Sequence, residues 1–354
     1  MATRRGESFL IEGTAKSADE TAGSAQPGAP DPKQTSSIWP GRVTEFLWRY
    51  GLLVVWLILA IVYSILLPDT FFTFSNVQTI AGSQAVLVVV SLALIPTLTA
   101  GEFDASVASV TGMSLVLIGW LNVLHGWPIW AAIAVALGVG ILIGLVNAFF
   151  VVVAHVPSIV VTLGMGTLLI GAAVGTNSLS TGGISQPLVN ATHNNLIGLP
   201  LAFFYGLILT AIFWYVFSFT PLGRYLYFVG AGRSVAQLSG IPVDWIRAGS
   251  FVAGALLSAL GGVLLAGWIS ASDPNVGPSY LLPAFAAAFL GSSVIEPGRF
   301  NPWGTFAAVY FLVTGVTGLE LLGLAGWIEQ VFYGASLVLA VAVSTFAVGR
   351  RLAT

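Results

Sequence analysis

The run YGLLVVWLILAIVYSILL, residues Tyr50–Leu67, decides what kind of protein this is. It carries no charge over 18 residues, close to the ~20 apolar residues an α-helix needs to cross a hydrocarbon core. Comparable runs follow at about 77–98, 106–123, 127–153, 159–179, 199–219, 249–269, 280–293, 303–324 and 328–348. The expected fold class is therefore an all-α polytopic membrane protein with about 10 transmembrane helices. The run at 280–293 is too short for a full crossing at ~1.5 Å per residue, and reads as a half-helix or a tilted segment. Pro96, Pro128 and Pro283 lie near span ends or interrupt them. Broken helices are tolerated in a membrane only where protein or an aqueous cavity satisfies the freed backbone groups.

Composition agrees. Of 354 residues, 56% are hydrophobic and 7% are charged, against roughly 25% charged in a soluble domain. So few charges could not cover a water-facing surface, and the mean hydropathy is +0.93. A net charge of −2 gives no electrostatic case for nucleic acid. Cysteine is absent, which excludes disulfides, thiolate metal sites and cysteine nucleophiles. Gly140 with Gly144, and Gly171 with Gly175, have the G-x-x-x-G spacing that lets membrane helices approach closely.

Residues 1–42 differ in kind, being rich in Ser, Thr, Ala, Gly, Pro and Asp, and read as a disordered cytoplasmic tail. Arg4-Arg5 is not followed closely by an apolar run, so it is not an export signal. Trp39 to Tyr50 reads as an interfacial lead-in. Residues 43–349 form the transmembrane domain, and 350–354 a short C-terminal tail. No Lys or Arg lies between Arg49 and Arg224. Basic residues fall in the N-terminal tail, the 220–248 loop, the turn at Arg299 and the C-terminus. Ten spans put all four regions on one face, the cytoplasmic one.

That loop runs TPLGRYLYFVGAGRSVAQLSGIPVDWIR from Thr220 to Arg247. Arg233 to Leu238 can form a short amphipathic helix, bounded by Gly230 and Gly232 before and by Gly240 and Pro242 after. Two readings are open from the residues, a partner-docking helix and an ordinary solvated loop.

Ionisable residues within spans are costly and often functional. Glu102 and Asp104 sit in GEFDASVAS between two apolar runs. They lie either in a broken helix beside a translocation path, or at a helix start where Asp104 acts as an N-cap or first-turn residue. Glu320 and Glu329 flank Trp327 and read as interfacial. Asp69 and Asp273 stand beside prolines and shape turns. His125, His155 and His193 are far apart, with no metal-ligand spacing. There is no G-x-S-x-G, H-E-x-x-H, paired-carboxylate or G-x-x-x-x-G-K-S/T pattern. No catalytic residue, metal or cofactor is expected, and ATP hydrolysis is not expected of this chain.

Several segments resemble the ribose-type (monosaccharide) ABC transporter permease family, from about residue 50 to 348. The family's G-G-I/F-D-L-S-V-G segment is matched by Gly101, Phe103, Asp104, Ser106 and Val107, with departures at Glu102, Ala105 and Ala108. Its G-L-I/V-N segment is met by Gly144, Leu145, Val146 and Asn147. V-P-x-x-I/V-V-T-L-G is met by Val156, Pro157 and Val160 to Gly164. In the cytoplasmic loop the matches are Gly223 to Tyr227, Gly230, Ala236 and Leu238 to Ile241. AGALLSALGGVLLAG resembles the seventh span. Asn275, Gly277, Tyr280, Gly291, Gly298, Arg299, Gly304, Thr305, Gln330 and Gly334 also fit. Where the family often has an acidic pair, this chain has Leu281 and Pro283.

The resemblance implies a type II ABC importer-like bundle with broken helices in a bacterial cytoplasmic membrane, both termini cytoplasmic. It would be a non-catalytic permease working with a second permease copy, a cytoplasmic ABC ATPase and an extracytoplasmic sugar-binding protein. A monosaccharide or related polyol would be the cargo. The substrate path would involve Phe103, Asp104, Ser106, Asn147 and Thr162. ATPase coupling would fall to Gly230, Arg233, Ala236, Leu238, Ser239 and Gly240, with Val235, Ala236 and Leu238 suited to burial in a partner groove. The alternative is an ion-coupled secondary transporter of a small polar solute, which Glu102 and Asp104 keep open.

Overall fold

The computed structural model describes residues 41–324 and 326–351, with side chains placed for 49–324 and 326–342. The tails expected at 1–42 and 350–354 lie outside the described residues, apart from 41–42 and 350–351, which are helical.

Ten apolar helices appear where the hydropathy places them. They are α1 (Gly41–Leu66), α2 (Phe74–Thr99), α3 (Val107–Gly119), α4 (Ile129–Ala148), α5 (Ser158–Thr176), α7 (Leu201–Phe219), α10 (Val243–Ile269), α11 (Leu281–Gly291), α12 (Pro302–Leu321) and α13 (Trp327–Arg351). Three short polar or amphipathic helices join them: α6 (Gln186–His193), α8 (Pro221–Ala231) and α9 (Arg233–Leu238). α3 and α4 finish in π-helical turns at Trp120–Leu124 and Phe149–Val153. Among the described residues, eight helices are long and apolar enough to span a bilayer. The protein is an all-α polytopic membrane protein.

α2 and α10 form the centre, packed against α3, α4, α7, α11 and α12. α2 is apolar all round and is continuously buried from Ala85 to Thr99, as expected for a helix enclosed by others. Small residues set the spacing. A Cβ on Gly144 would sit 2.8 Å from the Val252 Cα, so the Gly140–Gly144 spacing lets α4 lie directly on α10. Gly171 and Gly175 have nothing within 4 Å of a Cβ, so the second spacing packs no helix among the described residues. α1 stays peripheral. Its Trp56 Nε1 donates to Thr314 Oγ1 at 2.9 Å, and its Tyr63 hydroxyl donates to the Gly315 carbonyl.

Contacts sort the connections onto two ends. At one end the Arg49 carbonyl accepts from Ile295 N–H, Phe103 N–H donates to Ser158 Oγ, and Tyr227 donates to the Phe300 carbonyl. Arg233, Arg247 and Arg299 lie here too, so this is the basic end. At the opposite end Thr181–Gly182 pairs with Ala271–Ser272, Ser185 N–H donates to Asn122 Oδ1 and Gln78 donates to the Gly198 carbonyl.

The short eighth span is a half-helix. From Ser272, which lies against Gly119 of α3, the chain descends in non-helical form to Gly277, which lies against Gly112 in the middle of α3. A 3-10 turn at Gly277–Tyr280 then leads into α11, which covers the remaining distance to the basic end. Pro283 sits in the first turn of α11, where its missing N–H has no helical acceptor to lose. Along this stretch Ser272, Pro274 and Gly277 are buried against the bundle, while Asn275 and Ser279 are exposed. Glu320 and Glu329 are exposed on either side of the Gly323 turn. Asp273 Oδ1 accepts from Asn275 N–H at 2.8 Å and shapes its turn.

Candidate functional site

The basic end converges on the six residues GEFDAS, 101–106. α2 cannot continue, because Gly101 takes φ +76°, a left-handed conformation that glycine adopts without strain. Glu102 N–H then donates back to the Thr97 carbonyl. Residues 102–104 are non-helical, and a turn at Ala105–Ser106 leads into α3.

Asp104 is fully buried. Its Oδ1 accepts from the Ser106 N–H at 2.9 Å and from the Ser106 hydroxyl at 2.6 Å. Ser106 Oγ in turn accepts from Asn147 Nδ2 of α4 at 2.9 Å. Thr162 Oγ1 of α5 accepts from Ala105 N–H at 3.0 Å and donates to the Ser158 carbonyl. Asp104, Ser106, Asn147 and Thr162 therefore form one buried polar knot across the α2–α3 break, α4 and α5. Asp104 is not the N-cap of α3, which is Ser106; its carboxylate accepts from Ser106 two residues on, and it does so buried rather than at a water-exposed helix start. Asp104 Oδ2 and Asn147 Oδ1 are buried with no hydrogen-bond partner among the described residues.

Phe103 differs from those four. It is 45% exposed and stacks with Phe285 and Phe289 of α11, each at 6.4 Å between centroids. Those two rings are also 6.4 Å apart, so the three form a near-parallel trio. Its partners lie 182 or more residues downstream, and no sequence spacing signals them.

Glu102 is the residue whose role the sequence left most open. It is 4% exposed, and its Oε1 accepts from Arg233 Nη2 and Arg247 Nε, each at 2.7 Å, with Arg247 Nη2 also in ion-pair contact at 2.7 Å. Arg233 also reaches the Gly101 carbonyl. A carboxylate can be buried when charge-assisted hydrogen bonds replace its water. Arg247 lies in the first turns of α10, which begins at Val243 rather than near 249. Hydropathy alone hides those turns, because Asp244 and Arg247 lower it. The signal available was coarse: one carboxylate and two arginines, all expected on one face. Together with His155 and Ser158 they line a polar cleft.

The loop is two helices. α9 spans Arg233–Leu238, and Gly240 takes φ +77° at its exit. A Cβ on Gly230 would overlap the Thr99 carbonyl oxygen, so α8 rests on the end of α2 through backbone. Val235 and Leu238 face outward, 66% and 90% exposed, joined by Trp245 at 81%. Ala236, expected beside Val235 and Leu238 on a partner-facing surface, instead points into the chain's own core and is 0% exposed. The physical reason is the helical period: residues 235 and 236 are ~100° apart on a helix of 3.6 residues per turn. Burial pushes the Tyr227 phenol of α8 up to about 12, with Glu296 adding to the shift and Arg299 opposing it. Among the described residues, no three His, Cys, Asp or Glu side chains cluster to hold a metal.

Residues 76–341 match the family described as branched-chain amino acid transport system / permease component. The chain is similar to Ribose import permease protein RbsC of Haemophilus influenzae, at 27% identity over 88% of this chain and 95% of that protein. It is likewise similar to Autoinducer 2 import system permease protein LsrD of Yersinia enterocolitica, at 28% identity over 75% of this chain and 82% of that protein. LsrD of Salmonella typhimurium is 28% identical over 72% and 78%. No solved structure matches the chain significantly.

Proposed function

The chain belongs to the family of branched-chain amino acid transport system permease components, and from that premise we propose that it is the membrane-spanning subunit of an ATP-driven importer for a monosaccharide or related polyol. The observation that carries this reading is the exposed helix α9, offering Val235 and Leu238 at the basic end and locked to the bundle by Glu102. The cargo class rests on the relatives named for ribose and autoinducer 2 import. The partners are a cytoplasmic ABC ATPase, an extracytoplasmic binding protein and a second permease copy. In this reading the basic end faces the cytoplasm, supported by the excess of arginine there, with both termini on that side in a bacterial cytoplasmic membrane. The ion-coupled alternative loses its support, because Glu102 is engaged by two arginines and Asp104 serves as an acceptor for Ser106.

Two tests apply. The ATPase co-purified with this chain should bind inside-out vesicles but not right-side-out ones, and uptake should collapse on ATP depletion while surviving an uncoupler. Uptake abolished by the uncoupler with ATP intact would overturn the reading.

The substrate path in this proposal passes Phe103, with Asp104, Ser106, Asn147 and Thr162 holding that segment from behind. Asp104→Asn keeps an Oδ1 acceptor for Ser106 and is expected to melt and transport close to wild type. Asp104→Ala leaves the buried Ser106 N–H unpaired and should cost about 1–3 kcal/mol. Equal melting temperatures for the two variants would remove Asp104 from this framework.

A further inference from the structure

We propose that Gly101–Asp104 is the element through which α9 moves the membrane bundle, and that Glu102 is the positioning residue tying α9 to it. This rests on the reading of α9 as an ATPase-docking helix, and goes beyond it by naming how motion of α9 would enter the membrane.

The first link runs from α9 to the segment. Arg233 is the first residue of α9, and it holds both Glu102 Oε1 and the Gly101 carbonyl. Arg247, at the base of α10, donates from Nε to the same carboxylate oxygen and keeps its Nη2 in ion-pair contact with it. A buried carboxylate stripped of its cationic partners is strongly disfavoured. Glu102 therefore resists separation from Arg233 when α9 shifts, while Arg247 of α10 holds it from the other side. Gly230 adds a rigid contact, since its backbone lies directly on Thr99 with no room for a side chain between them.

The second link runs from the segment into the membrane. Phe103, next to Glu102, completes the ring trio with Phe285 and Phe289 of the half-helix α11. Phe103 and Ala105 are tied through their N–H groups to Ser158 and Thr162 at the start of α5. Between these attachments lies non-helical backbone flanked by two long helices, the kind of segment that absorbs the dihedral changes of a hinge. Pulling on Glu102 would therefore shift Phe103 relative to α11 and α5 together.

A static staple would use the same contacts, so the test must read motion rather than stability. The Cys-free chain allows a single reporter, Leu282→Cys on α11, where Leu282 is 41% exposed. The complex with the co-purifying ATPase is placed in nanodiscs. Maleimide labelling of the permease band is then timed without nucleotide and in the ATP–vanadate state. In the otherwise wild-type chain the rate should change by about tenfold, within the usual range for coupling between separate sites. Glu102→Gln should retain ATPase binding and lose most of that change. Arg233→Gln, at a half-exposed position, should do the same, which keeps the test valid if Glu102→Gln fails to fold. A full nucleotide-dependent change in either variant with ATPase bound would overturn the proposal, as would its absence from the wild-type background. If no ATPase binds the wild-type chain at all, the docking reading itself fails, and this inference falls with it.

Discussion

Replacing Leu238 by Asp is expected to abolish association with the ATPase while leaving the membrane bundle intact. Leu238 is 90% exposed at the end of α9 and makes almost no contact within the chain. With Val235 it presents large apolar side chains beyond the spans, beside Trp245 in the first turn of α10, at an end of the molecule otherwise marked by arginines. Such exposed apolar groups outside the spans mark interaction surfaces. Truncating or charging a central interface residue costs about 2 kcal/mol or more, at least roughly thirtyfold in affinity. The fold should hardly notice, because surface substitutions stay within about 0.5 kcal/mol. The measurement is a titration of ATPase onto the purified variant, beside a melting curve of the variant alone. Ala236 supplies the contrast. Because it is buried inward, an Asp there would place a carboxylate in the chain's own core and destroy the folded protein as well as the complex. Wild-type ATPase affinity in Leu238→Asp would show that α9 docks by another face or not at all.

Gly230→Ala is expected to reverse the usual sign of a helical Gly→Ala change. Gly230 lies within α8, and at a compatible helical site that substitution stabilises by about 0.4–1 kcal/mol, largely through the unfolded state. Here the added methyl would overlap the Thr99 carbonyl oxygen. The obstacle is backbone, so it cannot swing aside as a flexible side chain would. Overpacking of this kind costs about 1–3 kcal/mol, and relief requires α8 to move off the end of α2. That displacement would pull Arg233 away from Gly101 and Glu102. The variant should therefore melt lower than wild type and bind the ATPase less tightly, although it touches no partner. Gly164→Ala is the control, because a Cβ there meets nothing within 4 Å. If both variants melt alike, the contact between α8 and the end of α2 is not a constraint.

Much of the site was legible in outline. GEFDAS stood out because it interrupts two apolar runs, and the glycines around Arg233–Leu238 marked a short helix with a left-handed exit at Gly240. What stayed hidden was which groups meet there. Two G-x-x-x-G spacings look alike in the sequence, yet Gly144 lies on Val252 while Gly175 meets nothing. Glu102 read as a departure from a pattern until Arg233 and Arg247 were found on its oxygen.

The sequence by itself determined where the apolar helices lie along the chain and the end that gathers the arginines. Transfer of each residue between water and lipid acts locally and sums along a segment, so a list of residues suffices. Only the tertiary structure decided that the 3-10 turn leading into α11 begins at the depth of Gly112, that Ala236 turns inward, that α10 starts six residues earlier than its hydropathy suggests, and that one buried carboxylate serves two arginines. Those outcomes depend on which surfaces meet. A charge is affordable at low exposure only when its partner arrives from residues 131 and 145 positions away, and that arrival is a property of the packed helices, which no local sum contains.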